Sequence, residues 1–258
     1  MKKRILFTSI VSLFFLMGCT ELKQVATQVG SQVLTGATGV SNIENAAGLK
    51  DALSVGIGNS VSALSQQNGY FSNPLLKILL PKEAQPILDN LQMIPGGQGM
   101  IDEVVLRLNR AAEDAAKEAG PIFLNSIKSM SISDATGILF GGNDAATQYL
   151  KKSTLTQLTS AFAPKINTSL DKKLVGNIST NQSWSTLTSA YNSVANSIIG
   201  KTANLTPVNT NLGEYVTQKA LDGLFTGLAG EEQKIRQNPA ARTNDLLKKV
   251  FGQLDAKK

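Results

Sequence analysis

The sequence predicts an all-α fold: a compact single domain of roughly eight to eleven short helices, behind a signal peptide and a flexible tether. Three observations carry that prediction. From Ile43 onward, apolar residues recur at steps of three or four, the spacing of one face of a helix. No segment sustains the period-two alternation, bounded by hairpin turns, that a strand needs. Ser, Asn, Asp, Pro and Gly punctuate the periodic stretches where helices start and stop.

Taken in order, Leu49, Leu53, Ile57, Val61 and Leu64 draw the first stripe, with Gly56 and Gly58 either weakening this helix or admitting a close neighbour. Asn73-Pro74 reads as a cap before a short apolar turn over 75–80, and Pro81 stops it before a restart over 83–93. The run Pro95 to Gly99 reads as a break. The next helix shows Ile101, Val104, Val105, Leu108, Ala112, Ala115 and Ala119 on one face, ended by Gly120-Pro121. Pro121 opens another helix. Ser131 and Asp134 fit a capping box for a short helix to Phe140. Gly141-Gly142 closes that helix, and Asn143-Asp144 caps the next start. Residues 145–200 read as two or three helices, with Pro164 and Gly176 as breaks or kinks. After a loop around Pro207, Asn211 caps a helix running to about Arg236. Asn238-Pro239 then caps a last helix striped by Leu246, Leu247, Val250, Phe251 and Leu254.

Composition excludes several functions. The 258 residues hold one Cys and no His. That rules out a Ser-His-Asp triad, a Cys-His dyad, a His-ligated zinc, an internal disulfide and a Cys-rich metal site. No metal or cofactor is expected. The single Cys is placed tellingly. Met1 to Arg4 is a positive stretch, and Ile5 to Met17 is an apolar run too short to span a bilayer comfortably. It ends Leu16-Met17-Gly18-Cys19, which resembles the lipobox of bacterial lipoproteins. The resemblance implies cleavage before Cys19 and acylation of its sulfur. Two or three acyl chains hold firmly, at about 0.8 kcal/mol per buried methylene. Thr20 follows rather than Asp, which by enterobacterial sorting implies the periplasmic face of the outer membrane. The expected organisation is a signal peptide over 1–18, acylated Cys19 and tether over 19–42, and a helical domain over 43–258.

Cleavage removes three basic residues. The count falls from 25 to 22 against 19 acids, so the net charge falls from +6 to +3. That is no nucleic-acid footprint, and no basic stripe interleaved with aromatics is present. Arg107, Arg110 and Asp114 share a helix face, where Arg110 and Asp114 are spaced to pair. Gly96 to Gly99 lacks the Lys and preceding strand of a phosphate loop and reads as a plain turn. Asp144 reads as a cap and Tyr149 as a core aromatic with one hydrogen bond. Glu113, Asp134, Asp144, Glu214 and Asp222 are the carboxylates from which a glycosidase-type pair would have to be drawn.

A set of segments resembles the bacterial lipoprotein family catalogued as domain of unknown function 4197, over about residues 45–254. They are Asn109 to Glu113, Pro121 to Phe123, Asp144 to Tyr149, Tyr215 to Thr217, Ala220 to Phe225, and Ile235 to Gly252. The resemblance implies an exported, mostly helical, usually lipid-anchored protein, and transfers no catalytic residue. Polar members of these segments and their neighbours form the candidate cluster: Arg107, Arg110, Glu113, Asp144, Tyr149, Asp222, Arg236 and Arg242. Asp222 and Arg236, fourteen apart, fall on one side of a helix. The expected function is a non-catalytic binding or interaction module, held to the membrane through Cys19 and meeting an envelope protein. The alternatives are a carrier of an apolar ligand such as a lipid, recognisable by a cavity among helices 101–140 and 211–254, and a carboxylate hydrolase with a raised pKa.

Overall fold

The computed structural model describes residues 39–89, 97–172, 179–208 and 211–255. Cys19, the signal peptide, most of the tether and Gly176 lie outside them. The described residues form ten α-helices. They are α1 (Asn42–Ser65), α2 (Gln85–Asp89), α3 (Gly97–Ala116), α4 (Ala119–Ser129), α5 (Ile132–Leu139), α6 (Ala145–Leu170), α7 (Thr180–Ala195), α8 (Ile198–Thr202), α9 (Leu212–Gln237) and α10 (Asp245–Asp255). Single 3-10 turns occupy Lys82–Ala84 and Pro239–Ala241.

The long helices α1, α3, α6 and α9 carry the core. α6 packs on both α3 and α9, α9 packs along α1, and α1 also receives α4, α5 and α10. The stripe Leu150, Leu158, Phe162, Ile166 and Leu170 is fully buried along α6. Each such side chain contributes about 1.5–3 kcal/mol by leaving water. Ala111, Ala112, Ala115 and Ala116 are fully buried on α3, where their short side chains let neighbouring helices come close. Phe123 of α4 meets Phe225 of α9 edge to face, with ring centres 5.8 Å apart.

Several boundaries differ from the sequence expectation. Val40 is already buried, and Ser41 caps α1 in a capping box with Glu44, so the folded unit begins before 43. Asn73 caps a single short turn, as expected, its side chain accepting from the Leu75 amide and its carbonyl from the Leu76 and Lys77 amides; the turn ends earlier than expected, and residues 77–80 have no regular structure, with the Ile78 backbone held by Asn109. Gly97 to Gly99 lie inside the first turn of α3 rather than in a break. α6 passes through Pro164 unbroken: Pro164 is exposed, and its buried neighbours Phe162 and Ile166 keep the helix in register. Asn238 does not cap the last helix; its side chain caps the 3-10 turn, and Asn244 accepts from the Leu247 amide at the start of α10. The capping box of Ser131 with Asp134 and the cap of Asn211 on Glu214 form as expected.

Candidate functional site

Two kinds of polar arrangement emerge, one internal and one open. The internal one centres on α9. Glu232, 7% exposed, accepts hydrogen bonds from the amides of Ala146 (3.0 Å) and Thr147 (2.8 Å) and from the Thr147 hydroxyl (2.8 Å). Those amides are the unpaired donors of the first turn of α6. Asp144, placed at the cap position, makes no capping hydrogen bond; its carboxylate instead accepts from the Gln148 amide group. The cap expected from the adjacent residue is therefore supplied by a helix 86 residues away. Arg236 pairs with Glu232 at 2.9 Å and donates to the carbonyls of Leu139 (2.9 Å) and Ile138 (2.8 Å) at the end of α5. One ion pair thus closes the end of one helix and the start of the next. Arg242, also buried, donates to the carbonyls of Ile235 and Arg236 at the end of α9 and pairs with Asp255 of α10.

A second internal network holds the turn after α1. Glu113, 4% exposed, accepts from the amides of Tyr70 (3.2 Å) and Phe71 (3.3 Å) and pairs with Arg110 at 2.6 Å. Arg110 also donates to Asn68, whose φ of +72° marks a left-handed turn. Asp114 pairs with Lys117, so the expected Arg110–Asp114 bridge gives way to two i,i+3 pairs. The Tyr70 ring is wholly buried, and its hydroxyl donates to the Ala220 carbonyl at 2.8 Å; burial pushes its pKa far up. Two asparagines repeat one device. Asn109 accepts from the Ile78 amide and donates to the Ile78 carbonyl, both at 2.8 Å, and Asn192 does the same to Val208. Each side-chain amide imitates the edge of a sheet and pins a non-helical segment to a helix.

The eight predicted residues are therefore spread over several places. Arg110 and Glu113 share the Tyr70 turn, Arg236 and Arg242 close the ends of α5 and α9, and Arg107 makes a surface pair with Glu103. Tyr149 is half-buried, its phenol pKa raised first by burial and then by the Asp134 charge. Asp222 is exposed while Arg236 is buried, so the two do not share a face. Asp134 is held below its usual range by its capping bonds to Ser131, and Asp114 by its bond to Lys117. Asn109, Glu232 and Asn192 lie outside the candidate cluster drawn from the sequence, although Asn109 opens one of the segments that carry the family resemblance. Nothing in a helical stripe reveals which distant backbone a buried amide or carboxylate will meet.

The open arrangement is a cleft of about 480 Å³ between α6 and α9. α6 supplies Lys151, Leu155, Thr159, Ala163 and Asn167, a row at i+4. α9 supplies Glu214, Thr217, Gln218, Leu221, Asp222 and Phe225. The two helices meet closely at one end, where a Cβ on Gly213 would lie 2.0 Å from Asn167 Oδ1. At the other end the Lys151 ammonium stands 5.6 Å over the Phe225 ring. Leu155, 40% exposed, lies open in the cleft. A smaller hollow of about 140 Å³ adjoins it, lined by Glu83, Trp184 and Tyr215, and shares Asn211, Glu214 and Gln218 with the cleft. Burial, then the Glu83 charge, raises the Tyr215 pKa. Inside the core, a space lined by Leu49, Leu53, Leu228 and Phe251 measures only about 10 Å³, room for one water.

Among the described residues no helix is long and apolar enough to cross a membrane, and no group of three potential metal ligands converges. No curated protein and no solved structure is similar enough to match. Residues 39–252 match the model of the family described as protein of unknown function (DUF4197), and the chain belongs to that family.

Proposed function

We propose that the chain is a lipid-anchored cell-envelope protein whose helical domain is a non-catalytic binding module, with the α6–α9 cleft as the surface that meets a protein partner. One observation carries this reading. The buried charged groups are already committed to helix ends and backbone amides, whereas the cleft exposes Leu155 beside polar groups turned to solvent. The anchor is read from Leu16 to Cys19, with a palmitate-type chain on Cys19 and the periplasmic face of the outer membrane as the location.

A second reading is favoured by the cleft's size. Its volume falls within the range of small-molecule sites, so an apolar ligand such as a lipid tail over Leu155 is the alternative. Three experiments test these readings. A clickable palmitate analogue should label the wild type and not Cys19→Ser; labelling of the variant would remove the anchor. A photo-crosslinker at Leu155 in cells should give one discrete adduct that a probe at exposed Thr156 does not; equal adducts from both would remove the cleft. Native mass spectrometry separates the carrier reading, since a solvent-extractable lipid mass would favour it over a protein partner.

A further inference from the structure

The described residues include eighteen carboxylate side chains, from Glu44 to Asp255. Nine of them stand in ion pairs: Glu44, Glu103, Glu113, Asp114, Glu118, Glu231, Glu232, Asp245 and Asp255. Six more accept a hydrogen bond from a neighbouring side chain: Asp51 from Asn244, Asp89 from Gln85, Asp102 from Gln98, Asp134 from Ser131, Asp144 from Gln148 and Asp171 from Asn181. Three have neither: Glu83, Glu214 and Asp222. All three line the cleft and its adjoining hollow. The cleft's own cation, Lys151, is turned onto Phe225. In a chain whose net charge is positive, the three described carboxylates that have neither a cation nor a side-chain donor lie together along the cleft and its adjoining hollow.

From this distribution we propose that the cleft binds a basic, amphipathic segment of a partner protein, its apolar side chains against exposed Leu155, beside the largely buried Leu221 and Phe225, and its Lys or Arg side chains on Asp222, Glu214 and Glu83. The proposal rests on the cleft being the contact surface, as above, and adds the chemistry of what it contacts. The dimensions suit a helix laid in a groove. The α6 row from Lys151 to Asn167 covers sixteen helical rises, about 24 Å at 1.5 Å each. Glu214 and Asp222 are eight apart on α9, about 12 Å, so cations two turns apart on a docked helix would meet both. Opposite charges arranged this way fix register and speed encounter more than they add affinity. The same three carboxylates repel an anionic headgroup or a fatty-acid carboxylate, which sets a protein segment above a lipid surface as the occupant.

The test uses three sixteen-residue helical peptides with one Leu/Ala face. Their polar faces carry Lys, Gln or Glu at positions seven or eight apart. Fluorescence anisotropy against the full chain in neutral detergent reads binding. The expected order is Lys, then Gln, then Glu, with at least tenfold between the ends, shrinking as salt rises. The triple variant Glu83→Gln, Glu214→Gln, Asp222→Asn should bring the Lys peptide down to the level of the Gln peptide; all three side chains are exposed, and circular dichroism confirms that the fold persists. Equal binding of the three peptides, or a Lys peptide indifferent to the triple variant, overturns the basic partner. The Gln peptide reports on the cleft alone. If it binds the wild type and fails on Leu155→Arg, the cleft reading stands whatever the charge result; if no peptide responds to Leu155→Arg, both readings fall. Retention of the triple variant, but not of the wild type, on anionic vesicles would also overturn the proposal in favour of a membrane contact.

Discussion

The Glu232–Arg236 pair ties α9 to α6 and α5, and its burial makes removal of the carboxylate costly. Glu232→Ala would leave the Arg236 guanidinium buried without its counter-charge and return two α6 amides to an unpaired state. Breaking a buried pair from one side costs about 3–5 kcal/mol, so urea unfolding should show a loss of that order. Asn109→Ala should cost about 1–3 kcal/mol, because the Ile78 amide and carbonyl lose their partners in a dry site. Glu44 gives a pH signature. Its hydrogen bonds to Lys249 and Ser41 hold its pKa at about 2, against an ordinary 4.5. A depressed folded pKa means the contribution is complete above the unfolded value and lost as pH falls through the folded one. The Tm difference between wild type and Glu44→Gln should therefore be largest above about pH 5 and vanish near pH 2. A difference that grows on acidification would contradict the assignment.

Helices in this chain are close where a glycine allows it. A Cβ on Gly48 would sit 2.5 Å from Val250, and one on Gly223 would sit 2.7 Å from the Tyr70 ring, whereas Gly230 faces open space. Gly223→Ala should destabilise by about 1–3 kcal/mol through overpacking. Gly230→Ala, in the same helix, should stabilise by up to about 1 kcal/mol through propensity alone. Opposite shifts in Tm check the pair. The sequence pointed instead to Gly56 and Gly58. Gly58 has nothing near it, and Gly56 meets Glu231 at an ordinary 3.5 Å. Local patterns reveal that a helix contains glycine, not which face a partner covers. They did better where the physics is local: the capping boxes at Ser41 and Ser131 need only residues three apart. Ser131 was read from the sequence on that basis. At Asp144 the local rule failed because a distant carboxylate had already taken the amides.

At the scale of the molecule, the helix count and the absence of sustained strands among the described residues followed from periodicity, and the family match over residues 39–252 coincides with the packed unit that begins near Val40. The candidate cluster was legible as a set of polar residues but not as an arrangement. Arg110, Glu113, Arg236 and Arg242 turned out to hold backbone ends, while the open cleft draws on Lys151, Leu155 and Glu214, whose convergence depends on how α6 crosses α9. This separates two predicted outcomes. Substitutions in the buried networks should lower stability, and substitutions at the exposed cleft residues such as Leu155, Gln218 and Asp222 should spare it. Leu155→Arg tests the division most directly. With Leu155 40% exposed, its Tm should stay within about 2 °C of wild type, as for a surface change, while the discrete adduct from a crosslinker at exposed Gln218 in the cleft disappears. An unchanged adduct would show that the α6–α9 cleft is not where this protein meets its partner.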